Sequence, residues 1–134
     1  MTMRLNPREL EVLKILHEND HALTSTEIVN CGAELTQSTV QAVLRKLLAA
    51  ELVEVQGVTH SGNVLSRTFG PTEKSKEVLV QKFMDDYLAF RTIISKVDAI
   101  ASMFSMDEDL SKRLEEIESI EALLAKLKKE LKAK

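Results

Sequence analysis

Gln37, Ser38, Thr39 and Gln41 place four uncharged hydrogen-bonding side chains within five positions, and Arg45 and Lys46 follow one helical turn later. A Gln amide presents a donor beside an acceptor, the pattern that matches the exposed edge of adenine, while hydroxyls reach either a base or a phosphate. Guanidinium and ammonium groups clamp a phosphate backbone by charge alone. Val40, Val43, Leu44, Leu47 and Leu48 interleave with these polar positions at helical spacing. A helix capped by Thr36 and ending near Ala50 therefore buries that stripe and turns Gln37, Ser38, Gln41 and Arg45 outwards. An outward face that begins with uncharged Gln, Ser and Thr implies that something packs on it, and the major groove of double-stranded DNA is the surface such a helix reads.

Other chemistry finds no foothold. His17 and His21 are four apart with Glu18 and Asp20 between, a metal-binding spacing only if one helix carries both, and the helix is expected to end before His21. No Ser, His and Asp set surrounds a strand-turn-helix elbow, and four Gly are too few for a phosphate-cradling loop, so neither an enzyme nor a cofactor is expected. The single Cys31 cannot close an internal disulfide and reads as an inert, partly buried small residue. Every apolar run is broken by Lys, Glu or Asp, which leaves no membrane span or signal peptide and implies a cytoplasmic protein. Net charge is −3, and up to Pro71 six bases face eight acids. A nucleic-acid surface must then be local, assembled by folding from a few residues.

The elements that would assemble it are legible in turn. Asn6, Pro7 and Glu9 form a helix start, and Leu10, Val12, Leu13, Ile15 and Leu16 give one apolar face over Pro7 to Glu18. Thr24 and Glu27 make a second capping box for a short helix ending near Cys31-Gly32. After Leu52 the period shortens to two: Val53, Val55 and Val58 alternate with polar residues, Val64 to Phe69 is a second β-prone run, and Thr59 to Asn63 reads as the hairpin loop between them. Three helices and a hairpin make a winged helix-turn-helix, a mainly α fold with a small β-hairpin. Thr24 and Ser25 at the start of the second helix are phosphate candidates, and His60, Asn63 and Arg67 on the wing are placed for a neighbouring phosphate or the minor groove.

Pro71 closes this unit, giving a DNA-binding domain over 1–71 and a helical dimerisation arm over 72–134. Apolar residues including Phe83, Tyr87, Phe90 and Ile94 keep helical spacing from Thr72 to about Phe104 and read as one long helix, straight or kinked. Ser105 with Asp107, Glu108 and Asp109 then starts a last helix, where the helix dipole favours negative charge. In it Leu110, Ile117, Leu124 and Leu131 recur every seven residues with Ile120 and Leu127 between, a coiled-coil seam interrupted by Arg113. A seam needs a second helix, either from a homodimer partner or from the same chain. The resulting expectation is a DNA-binding transcriptional regulator acting as a homodimer on an inverted repeat. The competing reading, supported by the acidic balance, is a winged-helix adaptor that binds protein instead of specific DNA.

These residues also carry a family resemblance. Leu5-Asn6-Pro7-Arg8-Glu9-Leu10-Glu11-Val12-Leu13 resembles the opening helix of the penicillinase-repressor family, the winged-helix group that includes copper-responsive and methicillin-resistance repressors. Ser38 to Leu47 is similar to its recognition helix, and Phe69-Gly70-Pro71 to the aromatic-x-Pro that closes its wing. The resemblance implies a homodimeric repressor on a palindromic operator. The chain departs from the family at His17, where a tryptophan is usual, at Ala42 in place of Thr, and at Ala50-Glu51 in place of Lys-Gly. It also lacks the paired Cys of the copper-responsive members, so copper sensing is not expected. Winged-helix groups that bind aromatic ligands at a dimer interface share much of this pattern, and no residue names a small-molecule effector.

Overall fold

A computed structural model describes residues 4–106 and 109–134, and backbone contacts divide the chain into two units meeting between Tyr87 and Leu88. In the first unit α1 (Pro7–Glu18) begins at a complete capping box: Asn6 Oδ1 accepts from Glu9 N and Glu9 Oε1 from Asn6 N, both at 2.8 Å. α2 (Ser25–Cys31) repeats the device, with Thr24 Oγ1 accepting from Glu27 N at 3.2 Å and Glu27 Oε1 from Thr24 N at 2.9 Å. The Thr24 N–H, helped by its hydroxyl, holds the Glu27 carboxyl below the usual carboxylate range. α3 (Gln37–Ala49) is capped by Thr36, which accepts from Thr39 N at 3.2 Å.

The three helices close on one another because their apolar stripes have nowhere else to go. Val12, Leu13, Leu16, Ile28, Val40, Leu47 and Leu52 are essentially sealed from water, each such side chain contributing about 1.5–3 kcal/mol by burial. Leu48, expected in the core stripe, is only half-buried. Cys31, expected to be partly buried, is exposed at the last position of α2. α3 ends in a Schellman motif: Leu52 N donates to Leu47 O at 2.9 Å and Glu51 N to Leu48 O at 3.1 Å. That motif holds Glu51 at φ 63°, in the left-handed region that glycine usually fills.

β1 (Val53–Ser61) and β2 (Val64–Pro71) form an antiparallel ribbon joined by Gly62 and Asn63 alone. The five-residue loop expected over Thr59 to Asn63 is therefore a two-residue turn. Thr59 and His60 pair with Ser66 and Leu65, and they read as loop because a ribbon tip wet on both faces shows no apolar alternation. Gly62 takes φ 66° at the first turn position, where a tight hairpin needs it. Gln56 is an extra residue bulged between Val55 and Gly57. Leu23, ahead of α2, exchanges backbone hydrogen bonds with Phe69 at 3.0 and 2.7 Å, which ties the ribbon to the helices at its base.

α4 (Glu73–Leu88) packs its first turns on this unit. Ser75 is fully buried, donates to Thr72 O at 2.6 Å and meets His17 Nε2 at 2.8 Å, so His17 is the donor in that bond. Val78 and Leu79 lie against the core. The boundary between units thus falls after α4 has started, sixteen residues beyond the Pro71 division that composition suggests.

The second unit corrects two expectations. The single helix from Thr72 to Phe104 is instead α4 and α5 (Lys96–Ser105), interrupted by turns over 89–95. Ser95 caps α5, accepting from Asp98 N at 3.1 Å, after the β-branched run Thr92-Ile93-Ile94 that suits a helix interior poorly. The last helix, α6 (Leu110–Lys132), is capped by Asp109, whose Oδ1 accepts from Ser111 N and Lys112 N at 3.0 and 3.3 Å. Ser105, expected as that cap, is the last residue of α5 and donates to Ser102 O. Asp107 and Glu108 lie outside the described residues. No helix among the described residues is long and apolar enough to cross a membrane.

Candidate nucleic-acid interface

α3 presents Gln37, Ser38, Gln41 and Arg45 to solvent, with Thr39 half-buried behind Thr36. Gln37 Nε2 donates to Ser25 Oγ at 2.8 Å, joining the first residue of α3 to the first of α2. That bond leaves the Gln37 carbonyl oxygen and the Ser25 hydroxyl proton available to a ligand. Thr36 Oγ1 donates to Thr39 Oγ1 at 2.9 Å and lies 3.3 Å from Ser38 Oγ, so the hydroxyls of this helix start form one cluster.

A groove of about 350 Å³ runs between α3 and β2, with Ser25, Gln41, Arg45, Ser66 and Arg67 as its polar lining over a floor of Leu44, Leu48 and Phe69. The fold brings four of the residues singled out in the sequence, Ser25, Gln41, Arg45 and Arg67, to one surface from three different elements. Ser66 joins them and was not singled out, because its place follows from strand register. Arg67 is held with its guanidinium carbon 5.5 Å from the centroid of the Phe69 ring. His60 and Asn63 are exposed near the ribbon tip, away from this groove.

Charge pairing decides which bases remain available. In the first unit Arg8 pairs with Glu11 and Glu34, Lys14 with Glu18, Lys74 with Glu51 and Lys82 with Asp86. Arg45 and Arg67 have no ion pair among the described residues. Lys46 behaves differently from its neighbour: its Nζ lies 2.6 Å from Glu9 Oε2, and the Glu9 side chain is 2% exposed. The backbone clamp expected of Lys46 is therefore committed to a buried carboxylate that also completes the α1 cap. Thr24 is similarly engaged, buried with its hydroxyl accepting from Glu27 N. His17 turns to Ser75, and His21 lies 2.9 Å from Asp20, whose carboxyl that bond holds below the usual range.

A capped three-helix core, a two-stranded wing and an outward polar helix face make this a winged helix-turn-helix protein. The chain belongs to the penicillinase repressor family, whose family model matches residues 5–126. No curated protein matches it in sequence. Among solved structures it resembles MepR from a multidrug-resistant S. aureus clinical isolate at 22% identity and a TM-score of 0.52, over 96% of this chain and 80% of that one. A second S. aureus MepR variant, bound to an oligodeoxyribonucleotide, is similar at 18% identity and a TM-score of 0.51, over 95% and 80% of the two chains. A PadR family transcription regulator from hypervirulent Clostridium difficile shares 14% identity with a TM-score of 0.50, over 66% of this chain and 94% of that one. These likenesses establish the fold.

Proposed function

We propose that this chain is a cytoplasmic transcriptional repressor that binds an inverted-repeat operator as a homodimer, with α3 of each copy in a major groove. The observation that carries the reading is the convergence of Gln41, Arg45, Ser25 and Arg67 on one groove of an acidic chain, with neither arginine ion-paired among the described residues. Gln37 and Gln41 read base edges, and Ser38 and Thr39 at the α3 N-terminus take a phosphate oxygen, which the helix dipole also attracts. Arg45 and Arg67 clamp the backbone on either side of the groove. His60 and Asn63 reach the flanking phosphate or minor groove from the ribbon tip. Thr24 and Lys46 act one step removed, by fixing α2 and by neutralising Glu9 behind α3.

The dimer rests on the apolar surface beyond the winged helix. Phe83, Phe90, Ile94, Leu110, Leu124, Leu127 and Leu131 are exposed, and Tyr87, Ile117 and Ile120 are half-buried. Apolar surface of that extent on a single chain marks an interaction site. Two copies related by a two-fold axis set their α3 helices about one DNA turn apart, roughly 34–36 Å, and a bound dimer blocks polymerase access. Selection of bound duplexes from a random pool tests binding, symmetry and spacing together. Enrichment of an inverted repeat is the expected result; failure to retain any duplex even at low salt would replace this reading with the protein-binding adaptor.

A further inference from the structure

α6 is an amphipathic helix whose seam the described residues cover only in part, at Ile117 and Ile120. Leu110, Leu124 and Leu131 are 71%, 53% and 71% exposed, and no residue of the helix is buried. Its charges are sorted along its length. Residues 109–121 carry five acids against Lys112 and Arg113, while residues 122–134 carry five lysines against Glu130. The helix dipole rewards acids and bases only within the first and last turns. Glu115, Glu116, Glu118 and Glu121 lie beyond the first turn, and Lys126 and Lys128 lie ahead of the last, so the dipole does not account for them.

We infer that α6 pairs with α6 of a second copy of this chain in antiparallel orientation, about a centre near Ala122. Parallel in-register pairing would set Arg113 against its own copy inside the seam and Glu116 against Glu121 of the partner subunit on both flanks, like charges at close range. Antiparallel pairing about Ala122 removes both clashes. It layers Ile117 on the partner subunit's Leu127 and Ile120 on the partner subunit's Leu124. It brings Glu116 level with the partner subunit's Lys128 and Glu118 level with the partner subunit's Lys126, so the acidic half of each helix runs along the lysine-rich half of the other. The two helix dipoles then also run opposed.

This inference rests on the homodimer proposed above, and its test separates the two. In the full chain carrying Cys31→Ser, a single spin label is attached at Ala133→Cys or at Ala122→Cys, and pulsed electron resonance reads the distance between the two copies. With a rise of 1.5 Å per residue, antiparallel pairing gives roughly 30–40 Å at position 133 and roughly 15–25 Å at 122. Short distances at both positions would mean parallel pairing and overturn the inference. Long distances at both would mean that the two α6 helices do not meet, which overturns it equally. Sedimentation of the same samples reports the dimer independently: a dimer with either wrong pattern leaves the operator-binding reading standing, and a monomer removes both.

Discussion

Residues 4–87 and residues 88–134 carry apolar side chains at the same helical spacing, yet they dispose of them in opposite ways. In the first unit the stripes of α1, α2 and α3 meet each other and Phe69, and fourteen hydrophobic residues are buried. In α5 and α6 none is. Caps, turns and the Schellman motif make the first unit self-sufficient, each helix end satisfied by its own neighbours. The second has equally good caps, at Ser95 and Asp109, but no core behind them. Local signals thus specify where a helix lies, while its stability depends on what covers it. In the dimer proposed here the second unit takes that cover from another copy.

The contrast predicts its own largest effect. Leu47→Ala, at a fully enclosed site, is expected to cost about 2–5 kcal/mol of stability, read as a lower urea midpoint or Tm for the winged helix. Leu124→Ala removes the same atoms from a half-exposed site and is expected to leave that transition in place while raising the dimer dissociation constant in sedimentation. Equal losses of stability from the two changes would break the distinction between the units.

A finer comparison lies within α3, where adjacent cations do different work. Lys46→Ala leaves the buried Glu9 carboxylate without its cation and is expected to lower stability by about 1–3 kcal/mol, part of which the double variant with Glu9→Gln recovers. Its salt dependence of DNA binding is expected to stay that of the parent. Arg45→Ala has the opposite profile, with stability unchanged within about 0.5 kcal/mol and the slope of log affinity against log salt reduced by about 1. Gln41→Ala is expected to cost about 1–3 kcal/mol on the preferred duplex and to relax the sequence selected there, read by anisotropy titration over base variants. Equal losses from Gln41→Ala and Arg45→Ala on every sequence would merge their roles.

The parts of this molecule that could be read from its sequence are those written in local chemistry. Asn6, Thr24 and Thr36 named their helix starts, and the Val40 to Leu47 stripe named the face of α3 that is buried. Three features were not legible, each because it depends on a residue far along the chain. The pairing of Lys46 with Glu9 joins positions thirty-seven apart, the bridge of Leu23 to Phe69 forty-six, and the bond of His17 to Ser75 fifty-eight. The break between α4 and α5 is another matter. Ser95 with Asp98 three residues later is a local signal, masked by apolar spacing that continues through it. The groove face was half legible: residue types pointed to Gln41 and Arg45, but only the ribbon's register brings Ser66 and Arg67 opposite them.

The smallest effect concerns the joint between α3 and the wing, where sequence and backbone disagree most openly. Glu51 sits at φ 63°, a conformation that costs a residue with a Cβ about 1–2 kcal/mol relative to glycine. The surroundings enforce it: Leu52 N reaches back to Leu47 O, and Thr72 Oγ1 donates to Glu51 O at 2.7 Å. Neither bond uses the Glu51 side chain, whose ion pair with Lys74 at 3.8 Å is exposed and worth little. Glu51→Gly is therefore expected to raise stability by about 0.5–1 kcal/mol after the added freedom of glycine in the unfolded chain is counted against it. The measurement is a rise in urea midpoint at unchanged slope. A fall would mean that the Lys74 pair outweighs the backbone strain, and that the joint is held from α4 as much as from α3.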